Sequence, residues 1–272
     1  MTKGKKVKVH STGKNKEKKI EVPRILQEKT ERKDLIQKAH KSERSKKHQQ
    51  KGSDLRAGFR TTARYRGRRG VYIRTRNSGR ARLPRVIHPG GIPGEVKRVP
   101  QARGGHRAHP PRSEEKIEKE INKKEKNRAL EEAIKATANR ETIEKRGHKI
   151  PEDLELPIII DNEAEKYKKT KEITKLLEEI GIKKDLEKSK NKKTRAGKGK
   201  ARGRKNKYRK TALIVTGKNN GIKRATRNIP GAEATTVKEL SIEQLAPGGQ
   251  PGRLTIYTED AIKKIKNKIQ NN

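Results

Sequence analysis

The sequence predicts an α/β fold: a three-layer α/β/α domain with a small, mostly parallel sheet, interrupted by a long extended loop insertion. Pro157-Ile158-Ile159-Ile160, Ala212-Leu213-Ile214-Val215 and Leu254-Thr255-Ile256-Tyr257 are too short for helices and too continuously apolar for half-exposed strands. They read as buried parallel strands. Helical stretches alternate with them, and right-handed crossovers between parallel strands place helices on the faces of the sheet. The third observation is a stretch that belongs to no layer. Lys51 to Arg112 holds 17 Lys or Arg against two acids, Asp54 and Glu95, with 10 Gly and 6 Pro in 62 residues. Its apolar residues (Phe59, Val71, Ile73, Leu83, Val86, Ile87, Ile92, Val96 and Val99) are too scattered to offset an ordering cost of about 1 to 2 kcal/mol per residue. This loop is expected to have no core of its own.

Taken in order, Val7-Lys8-Val9 alternates as a short strand, and Lys18 to Val22 is its expected partner across a Lys/Gly/Asn turn. After Pro23, Thr30 is the expected N-cap of a helix that turns Leu35, Ile36 and Ala39 inward and fades at Lys46-Lys47-His48-Gln49-Gln50. The basic loop, 51–112, follows. Past Pro110-Pro111 the composition turns helical, with Glu114 and Glu115 at the start and Ile117 and Ile121 one turn apart. Asn122-Lys123-Lys124-Glu125 has capping-box spacing and restarts a helix whose inner face is Leu130, Ala133, Ile134 and Thr137. A shorter helix from Glu141 should end at Gly147, a natural C′ residue. Among the later strands, Thr170 to Ile180, a piece around Gly221 to Arg227, and Thr258 to Ile269 read as helices. The last of these turns Ile262, Ile265 and Ile269 inward, and Ala234 to Val237 is a further short strand. The chain 1–272 is therefore read as one domain with a small, central, mostly C-terminal core. It carries two basic inserts, 51–112 and 192–210.

A net charge of +42 with a pI near 10.5 exceeds what solubility requires and would repel itself in a compact free monomer. A polyanion must be close by. Nucleic acid is the leading choice, because membrane-surface binding would need a basic helix with a broad apolar face, which the sequence lacks. No apolar run approaches the roughly 20 residues that span a bilayer. Met1-Thr2-Lys3-Gly4-Lys5-Lys6 lacks the apolar core of a secretory signal, so a cytoplasmic location is expected. Zero Cys removes disulfides, thiolate chemistry and zinc ribbons together. With 2% aromatic residues the chain also lacks an array of stacking platforms.

In the loop 51–112 Arg outnumbers Lys by 15 to 2, and that choice is informative. A guanidinium is planar, always charged and weakly hydrated, so it clamps phosphate bidentately where an ammonium acts as a point charge. Arg56, Arg60, Arg64, Arg66, Arg68, Arg69, Arg80, Arg82, Arg85, Arg103, Arg107 and Arg112 are the candidate contacts here. The insert Lys192 to Lys210 has 11 basic residues in 19 and no acid. Its interleaved glycines let backbone approach phosphate closely, and its candidates are Arg195, Lys198, Lys200, Arg202, Arg204, Lys205, Tyr208 and Arg209. It is no nucleotide cradle, since GxxxxGK[ST] between strand and helix is not matched. A bare solvated charge run is the bland alternative.

His106 and His109 have metal-like spacing in Gly-Gly-His-Arg-Ala-His-Pro-Pro, yet Arg103, Arg107 and Arg112 would repel a cation and no carboxylate flanks them. Stacking or phosphate hydrogen bonding suits them better, with plain loop residues as the alternative. Tyr65, Tyr72 and Tyr208 lie in basic segments, where base stacking and simple exposure are equally open. Tyr257 reads as core, and His148 as a helix-terminal residue. The acids cluster on predicted helix faces, as in Glu131-Glu132 and Glu178-Glu179, and no nucleophile, base and orienter can be nominated. No enzyme, metal or cofactor is expected.

Nine motifs in order then give a resemblance. They are Gly79-Arg80-Ala81-Arg82-Leu83-Pro84-Arg85, Gly104-Gly105-His106-Arg107-Ala108-His109-Pro110-Pro111, Ile121-Asn122-Lys123-Lys124-Glu125, Ala136-Thr137-Ala138, Arg146-Gly147-His148, Ala196-Gly197-Lys198-Gly199 to Lys205, Ala225-Thr226-Arg227-Asn228-Ile229-Pro230-Gly231, Leu245-Ala246-Pro247-Gly248-Gly249 and Gly252-Arg253-Leu254-Thr255. From about Leu35 onward the chain resembles the large-subunit ribosomal protein L-four family, archaeal type. The resemblance implies a globular α/β domain on the outside of the large ribosomal subunit. It also implies a long loop, matched by 51–112, that threads into ribosomal RNA and lines the nascent-peptide exit tunnel. The insert 192–210 matches a basic rRNA contact of the family's globular domain. The implied partners are large-subunit rRNA, neighbouring ribosomal proteins and the nascent peptide. His88-Pro89-Gly90-Gly91-Ile92-Pro93-Gly94-Glu95 and Arg64 to Arg69 depart from the family pattern, and the first twenty residues are unusually Lys-rich for it. The lack of the long C-terminal extension of eukaryotic relatives favours an archaeal source. The rivals are a chromatin or DNA-compacting protein, which would need no such inserted loop, and an RNA-processing enzyme, which would need a catalytic cluster.

Overall fold

In a computed structural model, residues 6–11, 18–28, 32–87 and 92–270 are described, with the side chains of residues 268–270 left out. Two compact units emerge, residues 1–47 with 118–272, and residues 48–117.

The larger unit is built on a six-stranded sheet. In chain order its elements are β1 (Lys6–His10), β2 (Lys19–Glu21), α1 (Lys33–Ser45), α2 (Lys123–Ala136), α3 (Arg140–Arg146), β3 (Ile158–Ile160), α4 (Thr170–Glu179) and α5 (Lys183–Lys190). Then follow β4 (Lys193–Thr194), β5 (Asn206–Lys207), β6 (Leu213–Thr216), α6 (Ile222–Thr226), β7 (Glu233–Thr236), α7 (Ile242–Leu245), β8 (Thr255–Thr258) and α8 (Glu259–Gln270). The sheet order is β2-β1-β3-β8-β6-β7, parallel throughout except for the β1/β2 hairpin at one edge. β4 and β5 form a separate two-stranded ladder.

The three apolar runs are β3, β6 and β8, and their period-two alternation sorts side chains into two cores. In register, Ile158, Ile256 and Ile214 form a row that packs with Ile143, Ile173, Leu177 and Ile222 of the helices on one face. The alternate row, Ile159, Tyr257 and Val215, packs with Ile36, Ala133, Leu245 and Ile262 on the other. That is the three-layer arrangement. Tyr257 is fully buried, and its hydroxyl lies 2.8 Å from Thr137 Oγ1, which satisfies the one polar atom it brings into the core. Burial pushes its phenol well above the ordinary range.

Leu35 is half-buried against the core while Ile36 and Ala39 are fully buried, so α1 turns inward as its spacing predicts. Thr30 and the side chain of Ile269 lie outside what is described. α2 begins after Asn122 in the expected place, but the Asn122 side chain makes no cap hydrogen bond; Glu125 pairs with Lys38 of α1 at 2.8 Å. α3 ends at Gly147, whose φ of +95° is the left-handed C-cap that glycine takes without strain. Besides β4 and β5, two helices went unforeseen: α5, which is lysine-rich, and α7, a single turn capped by Ser241. The N-terminal strands also matter more than composition suggests, since Val7, Val9 and Val22 join the core and β1 pairs with β3.

One expectation fails. The segment around Ile117 and Ile121 forms no helix. Two isoleucines are too few to form a helical face. The backbone groups of Lys119 are instead taken by α1, its carbonyl accepting from Ser42 Oγ at 2.6 Å and its N–H donating to Ser45 Oγ at 2.9 Å. A helix would have to give up both bonds.

Candidate nucleic-acid interface

The unit 48–117 contains no helix and no strand longer than an isolated bridge among its described residues. Its backbone is nonetheless paired. Arg64 and Arg85 exchange two backbone bonds, Val86 N–H donates to Glu95 O at 2.9 Å, and Lys97 N–H donates to Pro84 O at 3.1 Å. Three chain passes therefore lie side by side. Burial is limited to small spots, chiefly Ala63, Val86 and Thr75. The framework leans on polar groups: Arg85 donates to the carbonyls of Gly94 (2.9 Å) and Ala81 (3.1 Å), and Arg66 to that of Tyr72 (2.9 Å). Phe59 stacks on the His106 ring with centroids 4.6 Å apart, and the Arg98 guanidinium lies 5.7 Å from the Phe59 ring centre.

These contacts sort the candidate residues. Arg56, Arg64, Arg68, Arg69, Arg80, Arg82, Arg103, Arg107, His109 and Arg112 are exposed. Arg60 pairs with Asp54 at 2.8 Å, and Glu95 is held by Lys97 at 2.8 Å, so both acids of 51–112 already have a cation. Arg85, Arg66 and His106 also have bonds within their own unit. Tyr65 and Tyr72 are exposed, Tyr72 at 78%.

In the insert 192–210 the same sorting leaves nearly everything free. Arg195, Lys198, Lys200, Arg202, Arg204, Lys205, Tyr208 and Arg209 all face solvent. β4 and β5 close its base, with Arg195 N–H donating to Lys205 O at 2.8 Å and Arg195 Nε to Arg204 O at 3.1 Å. Glycines 197 and 203 turn its tip with positive φ and open space around them. Among the described residues only Lys210 of the eleven cations meets an acid, Glu233.

The root of this hairpin is a polar network with only an indirect signal in the sequence. Arg253 is fully buried, and its guanidinium donates to Thr211 O (3.0 Å), Gln244 O (2.9 Å), Gly231 O (3.2 Å) and Glu233 Oε2 (2.6 Å). Burial lowers its pKa, opposed by the Glu233 charge. Burial pushes the Glu233 carboxyl up, but Arg253 and Lys210 together carry it below its ordinary value. Nearby Arg146 is lowered to about 10 by burial and by Arg253, and it donates to Pro247 O at 2.7 Å. An arginine immediately before a buried apolar strand was the available clue, since such a charge must be paired.

Enzymatic alternatives find little here. Ligands of open α/β sheets usually sit at the carboxyl ends of the strands. In this sheet Glu165 occupies that position, accepting from Gly217 N–H at 2.6 Å, Lys218 N–H at 3.3 Å and Thr258 Oγ1 at 2.8 Å. His148 is buried with Nδ1 3.0 Å from Asp185 Oδ2, an enclosed pair after the α3 cap. Among the described residues no three His, Asp or Glu gather as a metal site. No helix among them is long and apolar enough to cross a membrane.

The 17 basic and two acidic residues of 51–112 give +15 and the eleven of 192–210 give +11, so under a third of the chain carries +26 of its +42. These features define an α/β protein that concentrates its positive charge in two basic segments. The model of the ribosomal protein L4/L1 family matches residues 20–268. Three archaeal relatives, each called large ribosomal subunit protein uL4, align along most of the chain. That of Methanocaldococcus jannaschii is 43% identical over 93% of this chain and 95% of its own length. That of Methanosphaera stadtmanae is 40% identical over 98% of each, and that of Haloquadratum walsbyi 38% over 94% and 97%. The chain belongs to the ribosomal protein L4/L1 family. It is a structural constituent of the large ribosomal subunit, working in the cytoplasm, and not an enzyme.

Proposed function

We propose that this protein binds large-subunit ribosomal RNA through two separate basic devices on one domain, the arm 51–112 and the hairpin 192–210, and supports subunit assembly. The observation that carries the reading is the hairpin: eleven cations in 19 residues, ten of them with no acid partner among the described residues. Keeping like charges together is costly in isolation and favourable against phosphate. Contacts of this kind read backbone and shape, because the deep groove of A-form RNA offers side chains little sequence information.

The arm is the tunnel-reaching element in this reading. Each of its limbs has about 30 residues and reaches at most on the order of 100 Å when fully extended, enough to run far into a subunit. Its Gly and Pro keep the backbone narrow, and its exposed arginines and Tyr72 meet RNA and the nascent peptide at the tunnel wall.

Salt titration tests the RNA contact. Affinity for a large-subunit rRNA transcript should fall linearly on a log–log plot against salt, and neutralising Arg202, Arg204 and Lys205 to Gln should flatten that slope by about two to three contacts. An unchanged slope would make the hairpin a solvated surface. Equal affinity for duplex DNA of the same length would favour the chromatin reading instead.

A further inference from the structure

We propose that the Pro230-Gly231 turn, together with Glu233, is a socket that aims the basic hairpin, so that these residues are positioning residues for RNA contact without touching RNA. The inference rests on the reading of 192–210 as an RNA-binding hairpin.

The hairpin cannot aim itself. Its own ladder is two residues per strand, β4 with β5, and a ladder that short is marginal in water even before eleven like charges are added. Direction must come from the root, where both legs meet one turn. On the entry side, Ser189, fully buried near the end of α5, lies with Oγ 2.7 Å from Pro230 O. On the exit side, Thr211 N–H donates to Gly231 O at 2.9 Å. Arg253 braces the exit leg against the turn, donating to Thr211 O and Gly231 O, while Glu233 is shared between Arg253 and Lys210.

Gly231 shows how tight the fit is. Its φ is +77°, and a Cβ there would stand 2.1 Å from the carbonyl oxygen of Arg209. The obstructing atom is backbone of the exit leg, which can yield only if the leg moves. The tip is the reverse: a Cβ at Gly197 or Gly203 meets nothing within 4 Å. The hairpin is therefore held at both legs and open at its end. A fixed root lowers the ordering cost when the tip meets phosphate, which is how preorganisation raises affinity.

The native chain has no cysteine, so Lys175→Cys and Ala201→Cys allow two spin labels to be placed on α4 and on the hairpin tip of the full-length protein. Pulsed electron resonance should give one narrow distance distribution for the parent. Gly231→Ala should shift or broaden it, and should weaken binding to an archaeal large-subunit rRNA transcript by about tenfold with a shallower salt slope. Glu233→Gln should do the same more mildly, and it carries the test if Gly231→Ala fails to fold. The control is Ile214→Val, which lowers stability in the core without touching the root. A distance distribution and salt slope in the Gly231 and Glu233 variants matching those of Ile214→Val would overturn the socket. Neutralising Arg202, Arg204 and Lys205 separates the two ideas. If that flattens the slope and the root variants do not, the socket fails and the hairpin reading stands. If it too leaves the slope unchanged, the hairpin reading itself falls.

Discussion

Arg253 is the residue on which the C-terminal half of the sheet turns. It is a fully buried cation whose donors serve three backbone carbonyls and one carboxylate, at the point where β6, β7 and α7 meet. Replacing it with Leu would strand those acceptors and leave Glu233 with Lys210 alone, so a loss of about 3 to 5 kcal/mol is expected in denaturant unfolding. A loss under about 1 kcal/mol would show that water replaces the guanidinium freely. His40 makes a second prediction. Its Nε2 accepts from Gly248 N–H at 3.2 Å, and burial lowers its pKa below 6.5, an effect that Arg44 and Arg146 reinforce and that Glu243 and Glu43 oppose. A proton on Nε2 would remove the acceptor. Because the unfolded chain takes that proton first, the stabilisation is complete above about pH 6.5 and is lost as pH falls below it. Unfolding midpoints between pH 7.5 and 5 should fall, and His40→Gln should reduce the fall, leaving the part due to His10, which burial also lowers.

At the scale of elements, the arm should be the first part of the free protein to be cut. Its backbone pairings bury little and depend on arginine side chains bonded to carbonyls, so local opening costs little. Limited trypsin digestion is expected to cleave first among Arg56 to Arg107, whereas early cleavage between Leu213 and Tyr257 would contradict the core. The elements that were legible in the sequence are those whose pattern is fixed by burial. The runs that became β3, β6 and β8 are buried at every position because helices cover both faces, and the spacing of Ile262 and Ile265 follows the single buried stripe of α8. What could not be read depends on polar contacts between distant residues. Lys119 is kept out of a helix because Ser42 and Ser45 take its backbone groups, and those serines are more than seventy residues away in sequence. β4 and β5 carry no apolar alternation, and what fixes their base, Ser189, Gly231 and Arg253, is spread over three segments. The basic segments themselves are plain from charge and glycine content, but which of their cations are internally engaged, as Arg85 is, depends on carbonyls that the chain brings together only on folding.

For the whole molecule, the division between a packed domain and a basic arm predicts separable roles. Deleting Arg64 to Arg98 should leave the unit formed by 1–47 and 118–272 folded, because its two cores take nothing from the deleted residues. In cells such a protein should still enter large-subunit particles through the 192–210 hairpin, with rRNA newly reactive to chemical probes where the arm would lie. Complete failure to incorporate would make the arm the main anchor. The sheet order carries a consequence for how the protein is made. β8 sits at its centre, bonded to β3 on one side and β6 on the other, yet it is the last of the described strands to be synthesised. Until it arrives, β3 and β6 have no partner to join them, and the hairpin of β1 and β2 has only β3 to lean on. A growing chain that cannot close its core, and that already exposes both basic segments, is poised to collect the wrong RNA. Ribosome-bound nascent chains halted before Thr255 should therefore stay protease-sensitive throughout.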